Sequence, residues 1–363
     1  MIENSKFIDY AKKYGTPLYV YDGDLILKKY NQLYELIKYP KLKILYAMKA
    51  NYNVGILKLL QKNKAYLDTV SPAEVLLALK LGYEKEKILF TSNNITDDEM
   101  HEVQATGVLF NIGAISSLEK YGKFYPGSNV CIRFNPDVYA GENKYVQTAG
   151  SITKFGILMS DVDKVLDISK KYNLKVIGLH EHTGSGIGTT EQVFESMNNL
   201  LLIATKENFP DLEFIDFGGG LKVNYSPLAK ETDWKYFGEK VGELYKNFCR
   251  NYGKDLFIYF EPGKFIVAEA GYLLIEVNTI KNNRGRLIVG TNSGFNHLIR
   301  PLLYGSYHHI ENLSNPNGKT KIYDVCGNIC ESGDCFAEQR ELPEIREGDL
   351  LLIKTAGAYC YSM

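Results

Sequence analysis

From residue 43 onward, short apolar or β-branched runs alternate with longer amphipathic stretches, and this alternation limits the possible folds more than any other feature. The runs are KILYAMKA from Lys43, AYLDTV from Ala65, KILFTS from Lys87, GVLFNIG from Gly107, NVCIRFNP from Asn129, KVIGLHEHTG from Lys175, LEFIDFGGG from Leu212 and LFIYFEPG from Leu256. Between them lie helix-like segments such as SPAEVLLALKLGY and SDVDKVLDISKKYN, with Ser71 and Ser160 placed as N-caps before Pro72 and Asp161. Eight strands separated by helices close a (β/α)8 TIM-like barrel. A doubly wound open sheet is the competing arrangement, but it would put its glycine-rich turn after the first strand. Here the glycines follow the seventh run, which favours the barrel.

After Gly263 the texture changes. FIVAEAGYLLIEVNTIK, GRLIVGTN, TKIYDVCG and DLLLIKTAG read as strands with turns between them and little helical period. The segment TPLYVYDGD, from Thr16, is also strand-like and precedes the barrel. The expected organisation is a barrel over 24–264 and an all-β domain made of 1–23 and 265–363, the early strand completing the later sheet.

A hydrophobic fraction of 45% and a net charge of -1 fit a folded chain and give no electrostatic case for nucleic acid or an anionic membrane. Six cysteines without a CxxC pair make neither a disulfide scaffold nor a zinc site, so no metal is expected. Reduced thiols, no signal-peptide pattern at the start and no long apolar run make a soluble, cytoplasmic protein the expectation.

In a barrel of this kind, chemistry gathers at the C-terminal ends of the strands. Those ends carry Lys49, Asp68, Ser92, Asn111, Arg133 with Asn135, His180 with His182, the glycines 218 to 220, and Glu261. One lysine ending a strand is usually a solvated terminus, and one glycine triplet is a weak sign. Together, an imine-forming amine, glycine N–H groups for a phosphate and a carboxylate for a ring nitrogen are the parts of a pyridoxal 5'-phosphate site. His308 and His309 show no chemical partners, and Cys131 and Cys249 read as packing residues.

YAMKAN, HEHTGSG, DFGGG, EPGKFIVAEAG, CESGD and GAY occur in the order found in the group IV pyridoxal-phosphate decarboxylases, with an alanine-racemase-like barrel and a β domain. From about Gly15 to its end the chain most resembles the diaminopimelate decarboxylases. The resemblance implies that Lys49 is the Schiff-base lysine and that His182 stacks on the cofactor ring. It implies a phosphate cradle from Ser185, Gly219, Gly220, the backbone at Gly263 and Lys264, and Tyr359. Glu261 corresponds to the partner of the pyridine nitrogen, with Asp68, Glu74 and Arg133 in support. A carboxylate there keeps the ring protonated, which favours decarboxylation over racemisation. Cys330 corresponds to a proton donor reaching the partner subunit's site, which implies a homodimer with shared active sites.

Arg300 and Tyr304, in LIRPLLYG, correspond to ligands of a distal carboxylate, and Glu331 to the ligand of a distal ammonium. Lys264 and Tyr359 also fall at substrate positions. The implied reaction converts meso-2,6-diaminopimelate to L-lysine and carbon dioxide, the last step of lysine biosynthesis. Alternatives are a decarboxylase of ornithine, lysine or a carboxylated polyamine, and a non-catalytic pyridoxal-phosphate carrier. Three features depart from the family pattern. Lys264 replaces an arginine, Ala149 stands for a glycine in QTAGSITKFG, and the chain stops at GAYCYSM where the family adds a helix and a strand.

Overall fold

The computed structural model describes residues 2–138, 149, 153–184, 190–228 and 231–363. The chain divides into two compact units, Tyr30–Lys222 with Thr232–Gly263, and Met1–Lys29 with Val223–Glu231 and Lys264–Met363.

In the first unit each of the eight expected runs contains a strand: Leu42–Ala47, Tyr66–Thr69, Ile88–Phe90, Leu109–Ile112, Asn129–Asn135, Lys175–His180, Phe214–Asp216 and Phe257–Phe260. They pair in parallel in chain order, and the last returns to the first, with Phe260 opposite Ile44. The sheet is therefore a closed barrel, not a doubly wound open sheet. A two-residue strand, Ile157–Leu158, adds to the outer end of Asn129–Asn135.

The helix Pro72–Lys80 begins as expected, its first turn closed by Glu74 N–H donating to Ser71 Oγ at 3.3 Å. The other expected cap shifts by one residue. Met159–Asp161 forms a 3-10 turn, and the helix Val162–Lys171 starts after Asp161. Asp161 makes no cap bond because its carboxylate accepts from Lys164 Nζ at 2.9 Å.

Strand register sorts the barrel interior into layers. Leu45, Leu89, Cys131 and Phe214 form an apolar floor, with Tyr66, Leu109, Ile177, Phe257 and Tyr259 packed against it. Burying each large apolar side chain there contributes about 1.5–3 kcal/mol. Gly178 makes room for the floor, since a Cβ on it would lie 2.1 Å from the Phe214 ring. Two residues further along the strands, the same inward face is polar, because side chains alternate with period two.

In the second unit, Leu18–Tyr21 pairs antiparallel with Gly271–Leu274, so the early strand does complete the β sheet. That sheet runs Ile310–Asn312, Leu350–Ile353, Gly271–Asn283, Arg286–Thr291, Thr320–Cys326, Cys335–Pro343. The strand expected from Phe265 begins only at Gly271, because Lys264–Val267 coils into one helical turn with every side chain buried. Phe7, from an N-terminal helix Asn4–Tyr14, packs on Tyr272 at 4.8 Å between ring centroids, among Leu274, Leu313, Leu350 and Leu352. No helix among the described residues is long and apolar enough to cross a membrane.

Candidate active site

The polar layer of the barrel is set by register. Arg133, His180 and Asp216 stand in one row across three adjacent strands, and Asp68 is opposite Ala47. Immediately after Ala47 the chain turns through Met48–Ala50, a 3-10 turn that buries Met48 and Ala50 and leaves Lys49 between them. Tyr46 Oη holds the turn by donating to the Asn51 carbonyl at 2.8 Å, and Asn51 Oδ1 accepts from Asn53 N–H at 3.0 Å. Lys49 Nζ reaches Asp68 Oδ2 at 2.5 Å. The Asp68 side chain is fully enclosed, whereas that of Lys49 is 35% exposed, so the amine is half-buried at the mouth.

Burial, with the Glu261 carboxylate adding to it, raises Asp68 to about 6 despite the Lys49 ammonium. Burial raises Glu74 to about 7, against the Val70 N–H that donates to its Oε2 at 2.8 Å. Glu261, on the residue after the last strand, meets His180 Nε2 at 3.1 Å and is itself raised by burial. Asp216 is raised well above the carboxylate range by burial and then by Glu261. His180 is driven well below the usual histidine range by burial, so it is neutral, and its Nε2 shares the hydrogen bond with Glu261. His180, Asp216 and Glu261 offer donor atoms within 4.8 Å of one another, a spacing that a divalent cation could also use.

His182 is likewise driven far down, by burial first and then by the charge of Arg133. Its Nδ1 accepts the Gly219 backbone N–H at 3.1 Å. The glycines are required by close approach: a Cβ on Gly219 would lie 2.4 Å from the Glu261 carbonyl oxygen, and one on Gly218 2.7 Å from the Glu181 carbonyl. Gly220 holds φ at +89°, in the left-handed region, and a Cβ on Gly263 would meet that of Ala50 at 2.8 Å. Arg133 is buried, with its guanidinium 4.8 Å from the Phe155 ring centroid. The expected Ser185, and half of QTAGSITKFG, lie outside the described residues, though Ala149 is buried.

Two further buried acids lie within the quoted motifs. Asp216 sits in the quoted DFGGG, and its Oδ1 accepts the Gly218 N–H at 2.8 Å. Glu181 lies between the two histidines, fully buried and raised by burial to about 8, with Thr183 Oγ1 donating to its Oε2 at 3.0 Å.

Lys264, Arg300, Tyr304, Cys330, Glu331 and Tyr359 belong to the second unit. Arg300 is buried, its guanidinium carbon 4.6 Å from the Tyr225 ring centroid and 5.5 Å from that of Tyr304. Its Nη2 donates to Ser306 Oγ at 3.2 Å, its Nε has no hydrogen-bond partner, and among the described residues no carboxylate pairs with it. Lys264 is also buried, its Nζ 5.8 Å from the Tyr225 ring centroid. Tyr225 belongs to none of the quoted motifs, and only the fold places it between two cations.

His308 and His309 do have partners, contrary to expectation. His308 is buried, donates from Nδ1 to the Lys354 carbonyl at 3.0 Å, packs on Tyr225 and is pushed by burial down to about 3. His309 pairs with Glu311 at 3.4 Å.

Cys330 and Glu331 are exposed on a turn built around the buried Asp334. Asp334 accepts the Phe295 N–H at 2.6 Å and the Ile329 N–H at 2.9 Å, and its own carbonyl takes the Gly327 N–H at 2.8 Å. Tyr359 is half-buried at φ +55°.

Residues 24–268 match the pyridoxal-binding domain of the pyridoxal-dependent decarboxylases. The chain is 38% identical to the diaminopimelate decarboxylase of Methanothermobacter thermautotrophicus, over 100% of its own length and 86% of that protein. It superimposes on a crystal structure of diaminopimelate decarboxylase from Helicobacter pylori complexed with L-lysine, with TM-score 0.90, 31% identity, and coverage of 98% of this chain and 90% of that one. The corresponding L-lysine complex from M. jannaschii gives TM-score 0.89 and 30% identity, covering 98% and 86% of the two chains. An amine-bearing barrel mouth, a full-length likeness and the pyridoxal-binding domain agree, and the chain belongs to the diaminopimelate decarboxylases, pyridoxal-phosphate enzymes that form lysine.

Proposed function

We propose that Lys49 carries pyridoxal phosphate, that the polar barrel layer holds its ring, and that Arg300, Tyr304 and Glu331 bind substrate. The observation that carries this reading is the placement of Lys49 Nζ 2.5 Å from an enclosed Asp68, in a layer whose carboxyls are short of cations. Asp68, Asp216 and Glu261 are all raised, and Asp68 Oδ1 has no hydrogen-bond partner. A protonated pyridine nitrogen supplies the missing charge, so the donor set fits the group.

Bound pyridoxal phosphate supplies the electron sink for the pair left on Cα when carbon dioxide departs. Glu261, oriented by neutral His180, holds the ring nitrogen's proton. His182 presents a neutral ring and takes no proton from the reaction. Asp68 positions the Lys49 amine. Gly219 and Gly220, the backbone at Gly263 and Lys264, and Tyr359 hold the phosphate, together with Ser185.

Arg300 clamps the distal carboxylate of meso-diaminopimelate with its forked donors, its planar guanidinium near the Tyr225 and Tyr304 rings. A buried guanidinium without a counter-ion is costly, and this is the support for an anionic ligand at Arg300. Lys264 adds a second positive charge beside Tyr225. Glu331 binds the distal ammonium, and Cys330 returns a proton to Cα in the partner subunit of a homodimer. The exposure of both residues on an ordered turn supports that cross-subunit role. L-lysine, present in the two structural relatives, is the expected product ligand, and the six unbridged thiols support a cytoplasmic location.

The test is a substrate panel with the purified, pyridoxal-phosphate-loaded enzyme. Carbon dioxide and L-lysine are expected from meso-diaminopimelate, with ornithine and lysine left intact. Release from ornithine but not from diaminopimelate would overturn the substrate reading.

A further inference from the structure

Cys326 and Cys335 are partners across the antiparallel strands Thr320–Cys326 and Cys335–Pro343, with their sulfurs 2.7 Å apart. A register shift between Val325 and Cys326 sets them opposite each other. The next rung is a hydrogen-bonded one, Gly327 N–H to the Asp334 carbonyl at 2.8 Å. Cys326 and Cys335 therefore occupy a non-hydrogen-bonded rung, where Cα atoms lie about 4.5 Å apart, within the span a disulfide accepts. Both thiols are free and half-buried. The two thiols share a hydrogen bond in which either sulfur can be the donor, so either can lose its proton while the other holds the contact.

We propose that Cys326 and Cys335 are an oxidative modification site, closed to a reversible disulfide by a low-molecular-weight disulfide such as oxidised glutathione. One thiolate of the pair attacks one sulfur of the oxidant and releases the first thiol, which takes the proton that cysteine gave up. The other cysteine then attacks its neighbour's sulfur in the mixed disulfide, loses its proton and releases the second thiol. Two protein thiols are oxidised and one small disulfide is reduced to two thiols. The bond fastens the base of the turn 327–334, which carries Cys330 and Glu331. The inference rests on strand register and sulfur distance, not on the role given to Cys330.

The experiment treats the full-length, cofactor-loaded enzyme with oxidised glutathione, blocks the remaining thiols by alkylation, and maps the peptides by mass. The expected result is a loss of two hydrogens in mass, a Cys326–Cys335 cross-link, and reversal by dithiothreitol. Cys326→Ser and Cys335→Ser should each abolish the cross-link, and Cys330→Ser should retain it. Glutathione stopping on Cys330, a bridge from Cys330 to either neighbour, or full alkylation of Cys326 and Cys335 would overturn the proposal. The wild-type map decides even if a serine variant fails to fold.

Discussion

The Gly219 backbone N–H donates to His182 Nδ1 at 3.1 Å, and this bond fixes the histidine as the neutral tautomer with its proton on Nε2. Burial and the charge of Arg133 act in the same direction, since both disfavour an imidazolium. Nitrogen-resolved NMR of His182 is expected to show the Nε2–H form throughout the range from about pH 5 to about pH 8, without titration. Protonation near the ordinary histidine value of about 6.5 would contradict the arrangement.

Gly219 has a second constraint. An added Cβ would press on the Glu261 carbonyl oxygen at 2.4 Å, and that neighbour is backbone, which cannot swing aside. Gly219→Ala is expected to cost about 1–3 kcal/mol of stability and to release both His182 and the cofactor. Thermal melting and bound-cofactor content measure the two effects; a variant with wild-type values in both would show that the loop yields freely.

Arg300 tests substrate choice. Arg300→Lys keeps a positive charge but loses the fork and the stacking on Tyr225 and Tyr304. KM for diaminopimelate should rise roughly 10- to 100-fold, equivalent to about 1.4–2.8 kcal/mol, with a smaller change in kcat. Steady-state kinetics with an unchanged KM would place the distal carboxylate elsewhere.

Glu181 predicts a pH dependence of stability. Burial raises its folded pKa to about 8, so the folded state binds this proton more tightly than the unfolded chain. The resulting stability is fully present below the ordinary carboxylate range and is lost as pH rises through the folded value. Glu181→Gln keeps the shape without the charge. Its Tm should match wild type at about pH 4 and exceed it increasingly towards pH 8, at no more than about 1.4 kcal/mol per pH unit. Parallel Tm curves for the two proteins would contradict the assignment.

The barrel was legible because strand and helix periods alternate along the chain, and every quoted run contains a strand. Cys335–Pro343 was not among the runs, since it has few apolar residues and becomes a strand by pairing with Thr320–Cys326. The site divides in the same way. Lys49, Asp68, His182, Gly219 and Glu261 stand at strand ends or in motifs, where position along the chain reports position in the barrel. Asp216, Glu181 and Asp334 lie inside quoted motifs, yet their roles, like those of Tyr225 and His308, come from contacts made by folding. The Cys326–Cys335 pair was hidden for the same reason: eight residues separate the two thiols, and only strand register brings them together.

The central claim, that Lys49 is the residue carrying the cofactor, has a direct measurement. The loaded enzyme is reduced with borohydride to make the covalent link permanent, digested, and its peptides are weighed. The reduced cofactor mass is expected on the peptide containing Lys49, and its loss together with all activity in Lys49→Ala. Cofactor mass on another lysine, or its retention in Lys49→Ala, would contradict it.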